Sequence, residues 1–248
     1  MKINDKTHRV LWAALLVLLS VFFYLVHYAV FRDAHHIFLY LIGDIAFVFI
    51  EVLLVTLIIH QLLSEREKRM MMKKLNMVIG AFFSEVGTPL LEYFKNFDDT
   101  PGDISQQLLV DGKWSAEHFV KVQETLNQRD YKIGVRKGNL AELKEFVVGK
   151  RNFLLRLLEN QNLLEHENFT ELLWAAFHLA EELSHRKTLE GLPEKDYEHL
   201  AGDIKRVYKL LVREWLMYME HLKNNYPYLF SLAMRTNPFD SQAAVVMK

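Results

Sequence analysis

The apolar positions of this chain fall into two long unbroken runs, followed by a region where they recur at helical spacing. From Val10 to Phe31 the sequence reads VLWAALLVLLSVFFYLVHYAVF, about 22 residues. At roughly 1.5 Å of rise per residue, that run crosses a hydrocarbon core of roughly 30 Å. A second run, IFLYLIGDIAFVFIEVLLVTLIIHQLL from Ile37 to Leu63, is about 27 residues long, enough to cross with some tilt. Joined by FRDAHH, the two runs predict a transmembrane helical hairpin with spans over 10–31 and 37–63. A cleaved signal peptide is the competing reading of the first run, but its apolar stretch is too long and a second span follows at once.

After Leu63 the pattern changes. SEREKRMMMKKLNMVIGAFFSEVG holds no proline and predicts a helical stalk, ended by Gly87, Thr88 and Pro89. Thr88 suits an N-cap and Pro89 a first helical position, so a short helix through Leu90, Leu91 and Phe94 is expected, with a kink before it. DDTPGD at 98–103 is turn chemistry, and Asp111 with Gly112 breaks the chain before Ser115 caps a helix through His118, Phe119 and Val122. Longer helices are predicted over 139–163, over 168–187 with Asn168 as cap after the EHEN turn, and from about Asp196 to Leu222. Asn224, Asn225 and Pro227 stop the last of these before a short aromatic helix, YPYLFSLAM. No strand pair or repeat is visible. The fold class expected is therefore all-α: a two-span hairpin followed by a cytoplasmic helical bundle. Its parts are an N-terminal segment 1–9, the hairpin 10–63, a stalk and short helix 64–97, the bundle 98–235 and a tail 236–248.

Charge adds a direction. Lys2, Lys6 and Arg9 precede the first run, Arg66, Lys68, Arg69, Lys73 and Lys74 follow the second, and only Arg32 lies between. The positive-inside bias then puts both termini in the cytoplasm, making this a multi-pass protein of the cell membrane. The cluster from Arg66 to Lys74 would meet anionic lipid headgroups. A formal net charge of −1 gives no basic excess for binding nucleic acid. The absence of cysteine excludes disulfides, thiolate metal sites and cysteine nucleophiles.

The chemistry with the fewest explanations lies inside the apolar runs. An acid near the bilayer centre costs about 2.5 to 3.5 kcal/mol, so Asp44 and Glu51 need compensation. Seven residues at about 100° each put both on one helix face with Tyr40, while Ser20, Tyr24 and His27 form a second polar stripe on the first run. Depth counting lets Tyr24 and His27 reach Asp44 but offers Glu51 only Ser20, so Glu51 is neutral, hydrated or paired between subunits. Three readings follow: hydrogen-bonded glue within the hairpin, an ion or proton path, and a metal site at the outer mouth from His27, Asp33, His35 and His36. The spacing of those last four matches no standard zinc pattern.

In the bundle, His178, Glu182 and His185 contain a Glu-x-x-His spacing. Yet Phe169, Leu172, Leu173, Leu179, Ala180 and Leu183 gather within about 60° of Ala176, leaving the histidines and Glu182 on the opposite, solvated face with Trp174. Arg129, Lys132, Arg136, Lys137 and Lys144 form a basic stretch that reads as a charged solvated loop or an anion site. There is no Gly-x-Ser-x-Gly, no phosphate loop and no His-Glu-x-x-His, so a non-enzyme without cofactor is expected and a membrane-bound metalloenzyme ranks last. Two functions lead: a homo-oligomeric cation or proton channel gated by the bundle, and a membrane-tethered sensor or scaffold whose hairpin only anchors and oligomerises it.

Overall fold

The computed structural model describes residues 5–245 apart from 161, 162, 164 and 165. It is all-helical, and it divides into two compact units, Met1–Lys68 and Arg69–Lys248. The only extended pairing among the described residues is a single antiparallel bridge between Asp98 and Ile133.

The first unit is a helical hairpin. Helix α1 spans Asp5–Phe31 and helix α2 starts at Ala34, three residues before the predicted start. Asp33 explains the early start: its Oδ1 accepts the His36 N–H at 3.1 Å and so caps α2. Arg32 takes a left-handed conformation, φ 49°, and its N–H closes on the Tyr28 carbonyl at 2.9 Å. A two-residue turn therefore reverses the chain. Val10–Phe31 and the apolar part of α2 are both long and apolar enough to cross a bilayer.

Helix α2 continues to Phe82, as the lack of breakers predicts. The chain then makes one wide π-helical turn, Phe83–Gly87, and passes directly into α3, Thr88–Phe97. Pro89 is the cause: it lacks the N–H that an α-helix would direct to residue 85, and its ring crowds that turn. The wider turn relieves both problems, with the Thr88 N–H donating to the Phe83 carbonyl. Thr88 is the first residue of α3 and makes no side-chain cap.

The second unit continues through α4 (Pro101–Gln107), α5 (Ala116–Gln128), α6 (Leu140–Gly149), α7 (Arg151–Leu158), α8 (Glu167–His185), α9 (Glu194–Asn225) and α10 (Pro227–Arg235). Ser115 caps α5 by accepting the His118 N–H at 3.2 Å. The helix predicted over 139–163 is two helices, because the chain leaves α-helical geometry at Lys150, just after Gly149. The α8 cap is His166, whose Nδ1 accepts the Phe169 N–H at 3.2 Å, rather than Asn168, and part of the EHEN turn lies outside the described residues. Helix α9 packs against α3, α5, α8 and α10, while α8 also packs against α6 and α7. Leu172, Leu173, Leu179, Ile204, Val207 and Leu211 are fully buried between these layers.

One joint is especially close. A Cβ on Gly138 would lie 2.6 Å from the ring of Phe97, which is fully buried and has no room to withdraw. Gly138→Ala is expected to lower the stability of this unit by about 1 to 3 kcal/mol, read as the shift of its urea midpoint. An unchanged midpoint would contradict that packing.

Candidate functional site

Between its two helices the hairpin leaves an open cavity of about 450 Å³. Ser20, Tyr24 and His27 line it from α1, and His36, Tyr40 and Asp44 from α2. The i, i+4, i+7 stripe on α1 thus faces the i, i+4 pair Tyr40 and Asp44 across the same space. At the turn end, the His27 and His36 rings stack with centroids 5.8 Å apart, and the Tyr40 ring lies 4.6 Å from His36. His27 Nδ1 is enclosed and makes no hydrogen bond. The cavity therefore collects donors and acceptors around Asp44 in an otherwise apolar hairpin.

Glu51 is not part of this cavity; it is exposed on α2, and no hydrogen bond or ion pair to it occurs among the described residues. Of the four residues considered for a metal at the turn, only His27 and His36 are brought together. Asp33 is committed to capping α2, His35 is exposed, and among the described residues no three ligand atoms from this set come within 4.8 Å of one another. Arg66 and Lys74 are exposed; the side chains of Lys68, Arg69 and Lys73 lie outside the described residues, as does Lys2.

In the second unit the basic stretch is largely paired internally. Arg129 bonds Asp98 and Thr100, and Arg136 makes a two-pronged pair with Glu194 at 3.3 and 2.5 Å while lying over the Tyr197 ring. Lys137 meets Asp99 at 2.6 Å, and Lys144 donates to the Arg186 carbonyl at 2.5 Å. These cations tie loops to helices, which leaves little free charge for an anion.

The α8 face expected to be solvated is exposed at Trp174, His178 and His185, and part of it also meets polar residues of α9. His178 Nε2 lies 3.7 Å from Asp203 Oδ2, and His199 Nε2 lies 3.3 Å from the same oxygen. Glu182 stands 3.8 Å from His178 and 3.5 Å from His199. Arg186 bonds Glu182 at 2.7 Å and Asp196 at 2.7 Å, and those hydrogen bonds hold both carboxyls below their ordinary range. His185 takes no part; it turns back to Ser184 and the Glu181 carbonyl. His199 and Asp203 were missed by the sequence reading, although their i, i+4 spacing repeats that of His178 and Glu182.

The chain is similar over residues 71–235 to a family described as "Uncharacterized protein MJ1433, C-terminal helical domain", and over residues 2–63 to one described as "MJ1433, N-terminal helical domain". It is also 45% identical, over 98% of both chains, to "Uncharacterized protein MJ1433" from Methanocaldococcus jannaschii. No solved structure matches it. Matched over most of its length in both domains, the chain belongs to the MJ1433 family of proteins with an N-terminal and a C-terminal helical domain.

Proposed function

We propose that this is a multi-pass protein of the cell membrane, with both termini cytoplasmic, that assembles as a homo-oligomer and provides a cation or proton path along Asp44 and Glu51 of α2. The observation that carries the reading is Glu51: a carboxyl within the apolar part of α2, exposed and with no hydrogen bond or ion pair among the described residues. In hydrocarbon such a group costs about 2.5 to 3.5 kcal/mol, and a neighbouring copy or a hydrated axis removes that cost. The polar cavity around Asp44 would supply the outer end of the path, with Ser20, Tyr24, His27 and Tyr40 as hydrogen-bonding stations. The exposed Arg66 and Lys74, with their basic neighbours, would rest on anionic headgroups.

The test is native mass in detergent together with ion and proton flux in liposomes. A defined oligomer is expected, with Glu51→Gln lowering flux at least about tenfold while the assembly still forms. A monomer without flux overturns the channel. That result favours a membrane-tethered helical module instead, a reading supported by the separate buried core of the second unit.

A further inference from the structure

We propose that His178, Glu182 and His199, with the buried Asp203 against both imidazoles, form a binding site for one divalent transition-metal ion of the zinc, manganese or iron(II) class. The site is built from two i, i+4 pairs, one on α8 and one on α9, which run in opposite directions across an eight-residue connection, 186–193. His178 therefore stands opposite Asp203, and Glu182 stands opposite His199, so each helix contributes one nitrogen and one oxygen donor.

The spacings are those of ligands around an ion. Nitrogen and oxygen ligands about 2.0 to 2.2 Å from a tetrahedral metal lie roughly 3.3 to 3.6 Å from each other. His178, Glu182 and His199 each offer a donor atom within 4.8 Å of the other two, and across the helices His199 lies 3.5 Å from Glu182 Oε2 while Asp203 Oδ2 lies 3.7 Å from His178 and 3.3 Å from His199. Direct hydrogen bonds between an imidazolium and a carboxylate would draw the same atoms to about 2.7 to 2.9 Å.

Asp203 points independently to a ligand. The residue is 4% exposed, and its Oδ2, which faces both imidazoles, makes no hydrogen bond. A buried carboxylate oxygen left this way is costly unless a cation meets it. Its other oxygen is 3.5 Å from Arg206, and Arg186 holds Glu182 Oε2 at 2.7 Å, leaving Oε1 toward His178, so each carboxylate is oriented by a guanidinium. Both histidines are about half exposed, leaving a solvent-facing side for water or a substrate oxygen as a further ligand. A donor set of two imidazoles and a carboxylate, with the Asp203 carboxylate against both rings and no sulfur, suits borderline divalent ions, not copper(I).

The proposal is tested on the full chain, tag-free and in detergent, stripped with EDTA and then titrated with Zn2+ and Co2+. One ion per chain is expected, with the visible absorption of a low-symmetry Co2+ site and a higher melting temperature for the second unit. His199→Gln and Asp203→Asn, both close in shape to the parent residues, should each weaken binding about 100-fold or more and abolish the cobalt spectrum. No stoichiometric binding would overturn the proposal and leave an ion-pair cluster. Stoichiometric binding that survives both substitutions would overturn it equally, by locating the ion elsewhere. Neither result bears on oligomer formation or flux.

Discussion

Arg129→Ala is expected to destabilise the second unit by about 3 to 5 kcal/mol, because it strands a buried carboxylate. Asp98 closes α3, and its side chain has no exposed surface. Oδ1 accepts the Thr100 N–H at 2.9 Å, and Oδ2 accepts Arg129 Nη2 at 3.3 Å. The same Nη2 also donates to the Thr100 carbonyl and hydroxyl, both at 2.9 Å, so one guanidinium fixes the turn after α3. Around this pair the surroundings are aromatic. Arg129 lies over the Tyr131 ring, and burial, followed by the negative charge of Asp98, pushes the Tyr208 hydroxyl up. With the cation gone, the carboxylate keeps only the backbone N–H and the hydroxyl of Thr100, both on Oδ1, and Oδ2 loses its charged partner. The urea midpoint of the full chain, followed by tryptophan fluorescence, should fall accordingly, and Asp98→Asn should cost much less in the Arg129→Ala background than in the parent. A loss under about 1 kcal/mol, or strictly additive effects, would show that water already reaches Asp98.

Local signals foretold much of this architecture. The two apolar runs, the proline-free passage into α2 and the cap at Ser115 all depend on residues a few positions apart, the range over which sequence pattern acts. Pro89 opens α3 as expected, and the turn before it widens to a π-helix. A misreading arose where a second residue could do the same job. Asn168 looked like a cap, yet His166 reaches the same helix end two residues earlier.

The α8 cluster shows the other limit. The apolar face of α8 was legible, and Phe169, Leu172, Leu173, Leu179, Ala180 and Leu183 are all buried. A single helix gives no information about what lies opposite its polar face. Here the facing surface is the first three turns of α9, where His199 and Asp203 stand at the matching register. The reverse holds in the hairpin, where both polar stripes lie on helices joined by a two-residue turn. Their meeting around the cavity follows from short-range geometry, whereas Glu51, deeper along α2, does not line it.

The pH dependence of the second unit should carry the mark of Glu214. This residue is 2% exposed on α9; burial pushes its carboxyl up to about 7, and the nearby Arg213 only partly offsets that. Arg213 Nη2 is 3.6 Å from Glu214 Oε1, an ion-pair distance rather than a hydrogen bond, and neither atom has a hydrogen-bond partner. In the unfolded chain the same carboxyl ionises near its ordinary value of 4.5. Between those two values the folded state holds a proton that the unfolded state has released, so stability falls as pH rises from about 4.5 to about 7 and is level above that. The gap in pKa corresponds to a loss on the order of 3 kcal/mol. Glu214→Gln keeps the shape and removes the titration. Subtracting its unfolding free energy from that of the parent at each pH cancels the other groups, and the difference should shift by about 3 kcal/mol against the parent between pH 4 and pH 8. A difference that is flat with pH would mean that Arg213 holds Glu214 ionised throughout, making the pair a true buried salt bridge; Arg213→Met would then be the more damaging substitution.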